Sequence, residues 1–338
     1  MLYGRGSFAL AAAVQAVRKK HRAAPTVWLP GYFCDEAGDP LRSDGVEIRY
    51  YEVTRNLEPD WERLENEFRN PGVLPILVLV HYFGFPSDTA TALDFCRRKN
   101  AILVEDAAHV AAPGSSIGLA PFTVFSPRKL FAIPSIGCLA VADPQDAPPQ
   151  PVTTGGGQAM VWLAKRVAQK AMKAVHIPWH TIGRGFAAET PPRSTRAPSP
   201  LPGDRGCDAI AASCLGLVSN DASEVISRRR SNYEVLARHI LDSAVARPLF
   251  ESLGAACPYA LPVVFPWDVA GVARRLQERG IPVSRWPDLP TEVVMGSREF
   301  PVSNELFERI LLLPIHQGLT SNDIVLVAAA MREMARTP

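Results

Sequence analysis

Short apolar runs alternate with amphipathic stretches through the first part of the chain. Thr26–Pro30, Val46–Val53, Pro75–Val80, Ala101–Val104, Phe122–Phe125 and Ile136–Val141 have the length and branching of buried strands. Phe8–Lys20, Asp60–Phe68 and Asp88–Lys99 carry apolar residues at helical spacing. This alternation predicts a largely parallel sheet with helices on its faces. The pattern changes after Val141. Asp143–Pro151 is proline-rich, Gly155–Gly157 is a bare joint, Gln158–His176 reads as a basic amphipathic helix, and Ala187–Gly203 is a polar, proline-rich linker. Helices are then predicted over Cys207–Leu217, Ala222–Leu241, Val269–Arg279 and Ser321–Met334, with strands over Leu261–Phe265, Ile281–Trp286 and Leu311–Ile315. The expected organisation is a large α/β domain over residues 1–144, an insertion over 145–205 and a small α+β domain over 206–338.

Composition narrows the class. With 338 residues, 47% of them apolar, the chain can bury a large core. A net charge of +2 does not indicate a nucleic-acid surface. The six cysteines are scattered without a C-x-x-C, so they read as reduced thiols of a cytoplasmic protein, with no disulfide framework and no metal site. The longest apolar run, Val73–Val80, is too short to span a bilayer. The first residues imitate a signal peptide but run into Arg18, Lys19 and Lys20 without a cleavage site, and read as a mature helix. The 158–176 helix, with Lys165, Arg166, Lys170 and Lys173, is expected to be a docked surface helix; contact with an anionic membrane or a phosphorylated ligand is the alternative. The consecutive Arg228, Arg229 and Arg230 point in different directions on a helix, so most are expected to face solvent. His316 follows a strand end and is expected to be structural.

Candidate chemistry centres on residues 101–141. The Ala101 strand ends in Glu105 and Asp106, and the next strand delivers Ser126 and Lys129 into a loop. Ligands of open α/β sheets sit beyond the carboxyl ends of strands, so the Asp and the Lys can face one crevice. That pair suits pyridoxal phosphate, which needs a lysine amine for its Schiff base and a carboxylate against its pyridine nitrogen. A helix-capping Asp and a solvated Lys would give the same spacing. Upstream, Gly4-Arg5-Gly6-Ser7 precedes a helix, where backbone N–H groups can approach a phosphate and Ser7 can cap. Tyr32 and Phe33, after the Thr26 strand, can stack on a flat ring or fill the core.

Several stretches, in order, resemble the DegT/DnrJ/StrS sugar aminotransferases, a family of fold-type-I PLP enzymes. Gly6-Ser7-Phe8-Ala9-Leu10 resembles the family's phosphate turn, Val27–Tyr32 its strand ending in P-x-Y, and His81–Asp88 its H-x-x-G-x-P-x-D. VEDAAHV resembles its EDAAQ, and FSPRK its lysine loop. The runs from Arg228, Arg274 and Leu311 resemble its C-terminal domain. The likeness covers most of the chain outside about residues 145–205.

The resemblance implies the aspartate aminotransferase-like fold, with a mostly parallel sheet and a small C-terminal α+β domain. It also implies an aminotransferase that moves an amino group from an amino acid donor to a keto acceptor, possibly a nucleotide sugar, in sugar or polysaccharide biosynthesis. Lys129 would form the Schiff base (the internal aldimine) and shuttle the proton, and Asp106 would pair with the pyridinium nitrogen. His109 would take the position of the family's Gln. The phosphate would lie on Gly6, Ser7 and the Phe8 amide, Ser126 would contact the phosphate or the substrate, and Tyr32 or Phe33 would lie near the ring. A homodimer is implied as well. Departures temper this: Val124 stands where a phosphate-binding Ser is usual, only Gly137 remains of the glycine loop, no Asn stands near Asp204-Arg205-Gly206, and the chain begins almost at the phosphate turn without the family's leader. Arg205 is a substitute for the missing Asn. Two alternatives follow: a catalytically degenerate binding or assembly partner, and a lyase or dehydratase on the same scaffold. Retention of Asp106 and Lys129 weighs against both.

Overall fold

The computed structural model describes residues 1–111, 113–114, 116–174, 205–218, 222–241 and 246–334. A seven-stranded sheet lies at its centre, in the order β1-β7-β6-β5-β4-β2-β3. Its strands are β1 (Leu2–Tyr3), β2 (Pro25–Pro30), β3 (Glu47–Tyr51), β4 (Leu74–Val80), β5 (Ile102–Ala107), β6 (Phe122–Phe125) and β7 (Gly137–Val141). Strands β2 to β6 are mutually parallel; β7 runs against β6, and β1 against β7. Strands β2 and β4 are wholly buried, which explains why their sequences are continuous apolar runs without alternation.

Helix α1 (Gly6–His21) packs on β6 and β7. Its inward face is built from Ala9, Ala11, Ala13 and Val14, all without exposure. Such small side chains let the helix axis approach the sheet closely, which brings its N-terminus to the strand ends. The remaining helices of this part are α2 (Asp35–Ser43), α3 (Trp61–Glu67) and α4 (Thr89–Lys99). Asp60 and Asp88 cap α3 and α4 by accepting hydrogen bonds from the Arg63 and Thr91 amides. The short strand β1 and helix α2 were not foreseen. Strand β1 has only two residues, and α2 contains a proline at position 40 that breaks its helical signature.

A three-stranded antiparallel sheet, β10-β9-β8, is formed by β8 (Arg247–Pro248), β9 (Leu261–Val264) and β10 (Ile310–Leu313). The helices Ala222–Leu241 and Ser321–Met334 pack against each other beside it. Buried Glu52, just past β3, joins the two sheets' surroundings by accepting from the Val302 and Ser303 amides at 2.9 and 3.1 Å. Within 145–205, α5 (Gly157–Ala174) is described, starting close to the predicted Gln158. The predicted linker 187–203 lies outside the described residues. No helix among the described residues is long and apolar enough to cross a membrane.

Candidate active site

Strand β5 extends through Ala107, three residues beyond the predicted Val104, so Glu105 and Asp106 lie within the strand. Consecutive strand residues point to opposite faces. Glu105 therefore turns away from the cleft into a fully buried polar knot. It meets His81 Nε2 at 2.8 Å and accepts from the amides of Gly118 and Ala120 at 3.0 and 2.6 Å. Burial pushes the Glu105 carboxyl up, but these hydrogen bonds outweigh it and hold it below its ordinary value. Asp106 turns the other way, to the floor of a cleft of about 640 Å³ at the carboxyl ends of β2, β4, β5 and β6. This is the switch region of an open parallel sheet.

Lys129 enters the same cleft from a short 3-10 turn, Pro127–Lys129, that follows β6. Its Nζ lies 2.9 Å from His109 Nε2. Burial pushes the Lys129 amine below its ordinary value, and attraction to Asp106 offsets only part of that. Burial likewise pushes the Asp106 carboxyl up, with Lys129 and the Ala108 N–H offsetting part. His109 is held well below its ordinary value by burial and by the neighbouring Lys129. Its ring is stacked on Tyr259 at 4.8 Å and on Phe83 at 5.8 Å, with the edge of Trp286 at 5.8 Å. Cys34 also lines the cleft, but burial and the neighbouring Asp288 push its thiol up to about 12, so no thiolate competes with Lys129 for an electrophile.

The mouth of α1 forms the opposite wall. Helix α1 begins at Gly6, so Ser7 sits inside the first turn and does not cap it, contrary to the prediction. Arg5 occupies the cap position, and its side chain, which donates to Glu36, makes no hydrogen bond to the helix start. The first intrahelical bond runs from Ala9 N to Arg5 O at 3.3 Å, which leaves the Gly6, Ser7 and Phe8 amides without helix partners. Strand β7 passes so close that a Cβ on Gly137 would lie 2.1 Å from Arg5 O and 2.6 Å from Gly6 N. Ser7 and buried Ser126 both line the cleft beside these amides. An uncapped helix start, a half-buried carboxyl that makes no ion pair among the described residues and an amine of lowered basicity form the donor set that a phosphorylated pyridine aldehyde requires, so the residues present fit pyridoxal phosphate.

No protein-family model matches the chain. A dTDP-4-dehydro-2,3,6-trideoxy-D-glucose 4-aminotransferase of Saccharopolyspora spinosa is 26% identical over 319 residues, which span 89% of this chain and 76% of that protein. Among solved structures, the aminotransferase TlmJ of Streptoalloteichus hindustanus superposes with a TM-score of 0.72 at 20% identity, covering 100% of this chain and 86% of that one. A DegT DnrJ EryC1 StrS aminotransferase of Brucella abortus gives 0.67 at 15% identity, covering 99% and 85%. The chain is thus similar in sequence to a sugar aminotransferase and in fold to solved aminotransferases, one of them of the DegT DnrJ EryC1 StrS kind. Its fold is the α/β fold of those enzymes, with the mostly parallel central sheet that its sequence predicts.

Within this fold, Lys129, Asp106, His109, Gly6, Ser7, Phe33 and Ser126 converge on the cleft. Phe8 does not line the cleft: its ring is buried in the core, and only its amide, in the first turn of α1, is left without a helix partner. Tyr32 does not line the cleft. It is fully buried, 4.9 Å from the Trp286 ring, and the next two residues, Phe33 and Cys34, line the cleft in its place. Arg205, the proposed substitute for the missing Asn, is bound to Asp44 of its own chain at 2.6 and 2.8 Å. His316 is exposed and lies away from the cleft.

Arg229 departs furthest from expectation. It is 3% exposed and donates to the carbonyls of Leu130 and Tyr259 at 3.3 and 2.9 Å and to Gln317 Oε1 at 2.8 Å. It thus ties the residue after Lys129 to the residue stacked on His109. A readable signal exists: Arg229, Tyr233, Leu236 and Ile240 form the buried stripe of their helix. Tyr259 and Trp286, which pack around His109, carry no local motif; only the tertiary fold brings them to the cleft.

Proposed function

We propose that this chain is a pyridoxal-phosphate-dependent aminotransferase that moves an amino group from an amino acid to the keto group of a nucleotide-linked sugar. One observation carries the reading: Lys129, Asp106 and the uncapped start of α1 converge on a single cleft. Lys129 would hold the aldehyde, Asp106 the pyridine nitrogen, and the Gly6, Ser7 and Phe8 amides with the Ser7 and Ser126 hydroxyls the phosphate. When bound, the cofactor supplies an electron sink for the pair left behind when a C–H bond beside nitrogen breaks.

The chain's own residues do the rest. Lys129 Nζ is the group that takes a proton from the substrate carbon and returns it. His109, clamped between Tyr259 and Phe83, orients that amine. Trp286 and Tyr259 line the cleft with rings that would exclude water from the reacting atoms. Arg5, Arg128 and Arg285 line the mouth, which favours an acceptor carrying phosphate groups. The sugar assignment rests on the relative from Saccharopolyspora spinosa and on this basic mouth. Exposed Met160, Val161 and Val167 on α5 support a homodimer as the working form, and the scattered thiols support a cytoplasmic location.

The test is an absorption titration with pyridoxal phosphate, before and after borohydride, on the wild type and on Lys129→Ala. A reducible band that needs Lys129, followed by pyridoxamine phosphate on incubation with glutamate or another donor, is expected. A folded wild type without such a band overturns the reading in favour of a binding partner. A band with a deoxygenated, amine-free sugar product would point instead to a dehydratase.

A further inference from the structure

We propose that, before any aldehyde enters the cleft, Lys129 is held as the neutral amine, accepting a hydrogen bond from the Nε2–H of His109, whose tautomer is set by the left-handed backbone at Phe83. Phe83 has φ +55° and ψ +19°, a left-handed conformation that non-glycine residues rarely adopt. It is fixed from both sides. The Phe83 ring is fully buried, and the Phe83 carbonyl accepts from the Tyr259 amide at 2.7 Å. Gly84 follows at φ +88°, where a Cβ would lie 2.1 Å from the Cys257 carbonyl oxygen.

This turn aims the Phe83 N–H at His109 Nδ1, 3.3 Å away. A backbone N–H can only donate, so Nδ1 must offer its lone pair. A neutral imidazole with a bare Nδ1 carries its hydrogen on Nε2. That nitrogen faces Lys129 Nζ at 2.9 Å. Two donors cannot share one hydrogen bond, so Nζ must accept, and only an uncharged amine has a lone pair to accept with. The alternative, an ammonium donating to Nε2, moves the ring hydrogen to Nδ1 and sets it against the Phe83 N–H in a buried site.

The charged and titratable groups around Nζ come from several elements. Asp106 on β5 favours the ammonium, Cys34 ahead of α2 is a neutral thiol near neutral pH, and burial and Arg128 beside it disfavour the ammonium. The net direction is downward, in agreement with the hydrogen-bond argument. His109 is thereby a positioning residue: it keeps the amine uncharged and points its lone pair along a fixed line. An amine attacks a carbonyl carbon only in this form, so the site would be ready for an aldehyde near neutral pH. The inference deepens the proposed function and rests on it only for the identity of that aldehyde.

The experiment uses the full-length chain, freed of carbonyl compounds with hydroxylamine and dialysed, labelled with 13C at lysine Cε and 15N in histidine. The Lys129 resonance is the one missing in Lys129→Arg. It is expected to titrate below the other lysines and to be that of a free amine at pH 7.5. The His109 nitrogens are expected to show the Nε2–H tautomer. His109→Phe removes the donor and should move the Lys129 midpoint up towards the other lysines. His109→Gln, whose amide N–H can replace the donor, should keep it low. Lys129 titrating with the other lysines, a His109 proton on Nδ1, or an unmoved midpoint in a folded His109→Phe would each overturn the proposal. An active transaminase with an ordinary Lys129 would overturn this inference alone; a neutral Lys129 without transamination would overturn only the proposed function.

Discussion

Gly137→Ala tests the phosphate end of the cleft without touching a functional side chain. Gly137 opens β7 and pairs with Tyr3, directly under the start of α1. A Cβ there would lie 2.1 Å from Arg5 O and 2.6 Å from Gly6 N, both backbone atoms that cannot rotate aside. The start of α1 must therefore retreat by more than 1 Å to restore ordinary contact. An N–H···O bond of ordinary length stretched by that much is no longer a hydrogen bond. A bond from an amide to an anion contributes about 2 kcal/mol, and each 1.4 kcal/mol is tenfold, so losing one weakens binding by roughly 30-fold. Overpacking should also lower stability by about 1 to 3 kcal/mol. The assay is a pair of equilibrium titrations on folded protein, one with pyridoxal phosphate and one with pyridoxal. Gly137→Ala is expected to weaken the first by roughly 30-fold and to leave the second within about threefold. Equal weakening of both, or an unchanged affinity for the phosphorylated form, would refute the assignment of α1 as the phosphate cradle.

Arg229→Met strips donors from the Leu130 and Tyr259 carbonyls. It should cost about 2 to 4 kcal/mol in urea unfolding and, in the surviving folded fraction, lower kcat more than it raises KM. Asp106→Asn should fold with an unfolding midpoint at pH 7 equal to or above that of the wild type, because a carboxyl whose folded value is raised is disfavoured there as the anion. The same variant should lose at least about 1,000-fold in transamination rate, since a neutral amide cannot hold a ring nitrogen protonated. Glu105 has the opposite sign: its folded value is lowered, so its stabilisation is complete above the unfolded value of about 4.3 and is lost as pH falls through the folded one. Glu105→Gln should therefore destabilise by about 2 to 4 kcal/mol at pH 7, with the gap to the wild type closing in acid; a gap independent of pH would contradict this.

What the sequence made legible tracks how local each signal is. Strand β6 is predicted residue for residue, and β2 and β4 to within one residue, because burial on both faces writes itself as an uninterrupted apolar run; the predicted bounds of β3 and β5 miss by up to two and three residues. The paired facts that Asp106 ends one strand and Lys129 follows the next were equally readable, since parallel strands deliver their C-terminal loops to one edge. Periodicity alone could not say which of two adjacent carboxylates faces the cleft. That is decided by the pleat and by what waits on each face: His81, Gly118 and Ala120 for Glu105, and Lys129 for Asp106. The residues around His109 were the least legible. Phe83 contributes a backbone angle, Tyr259 a stacked ring and Trp286 an edge, and each acts through a contact across long sequence separation. Arg229 shows the cost of reading a charge run as a solvated face. The apolar stripe at 233, 236 and 240 reaches back one turn to it, and a guanidinium on a buried stripe must find acceptors inside. Here those acceptors are carbonyls flanking Lys129 and at Tyr259, so the charge that the run seemed to spend on solvent fixes the geometry of the cleft instead.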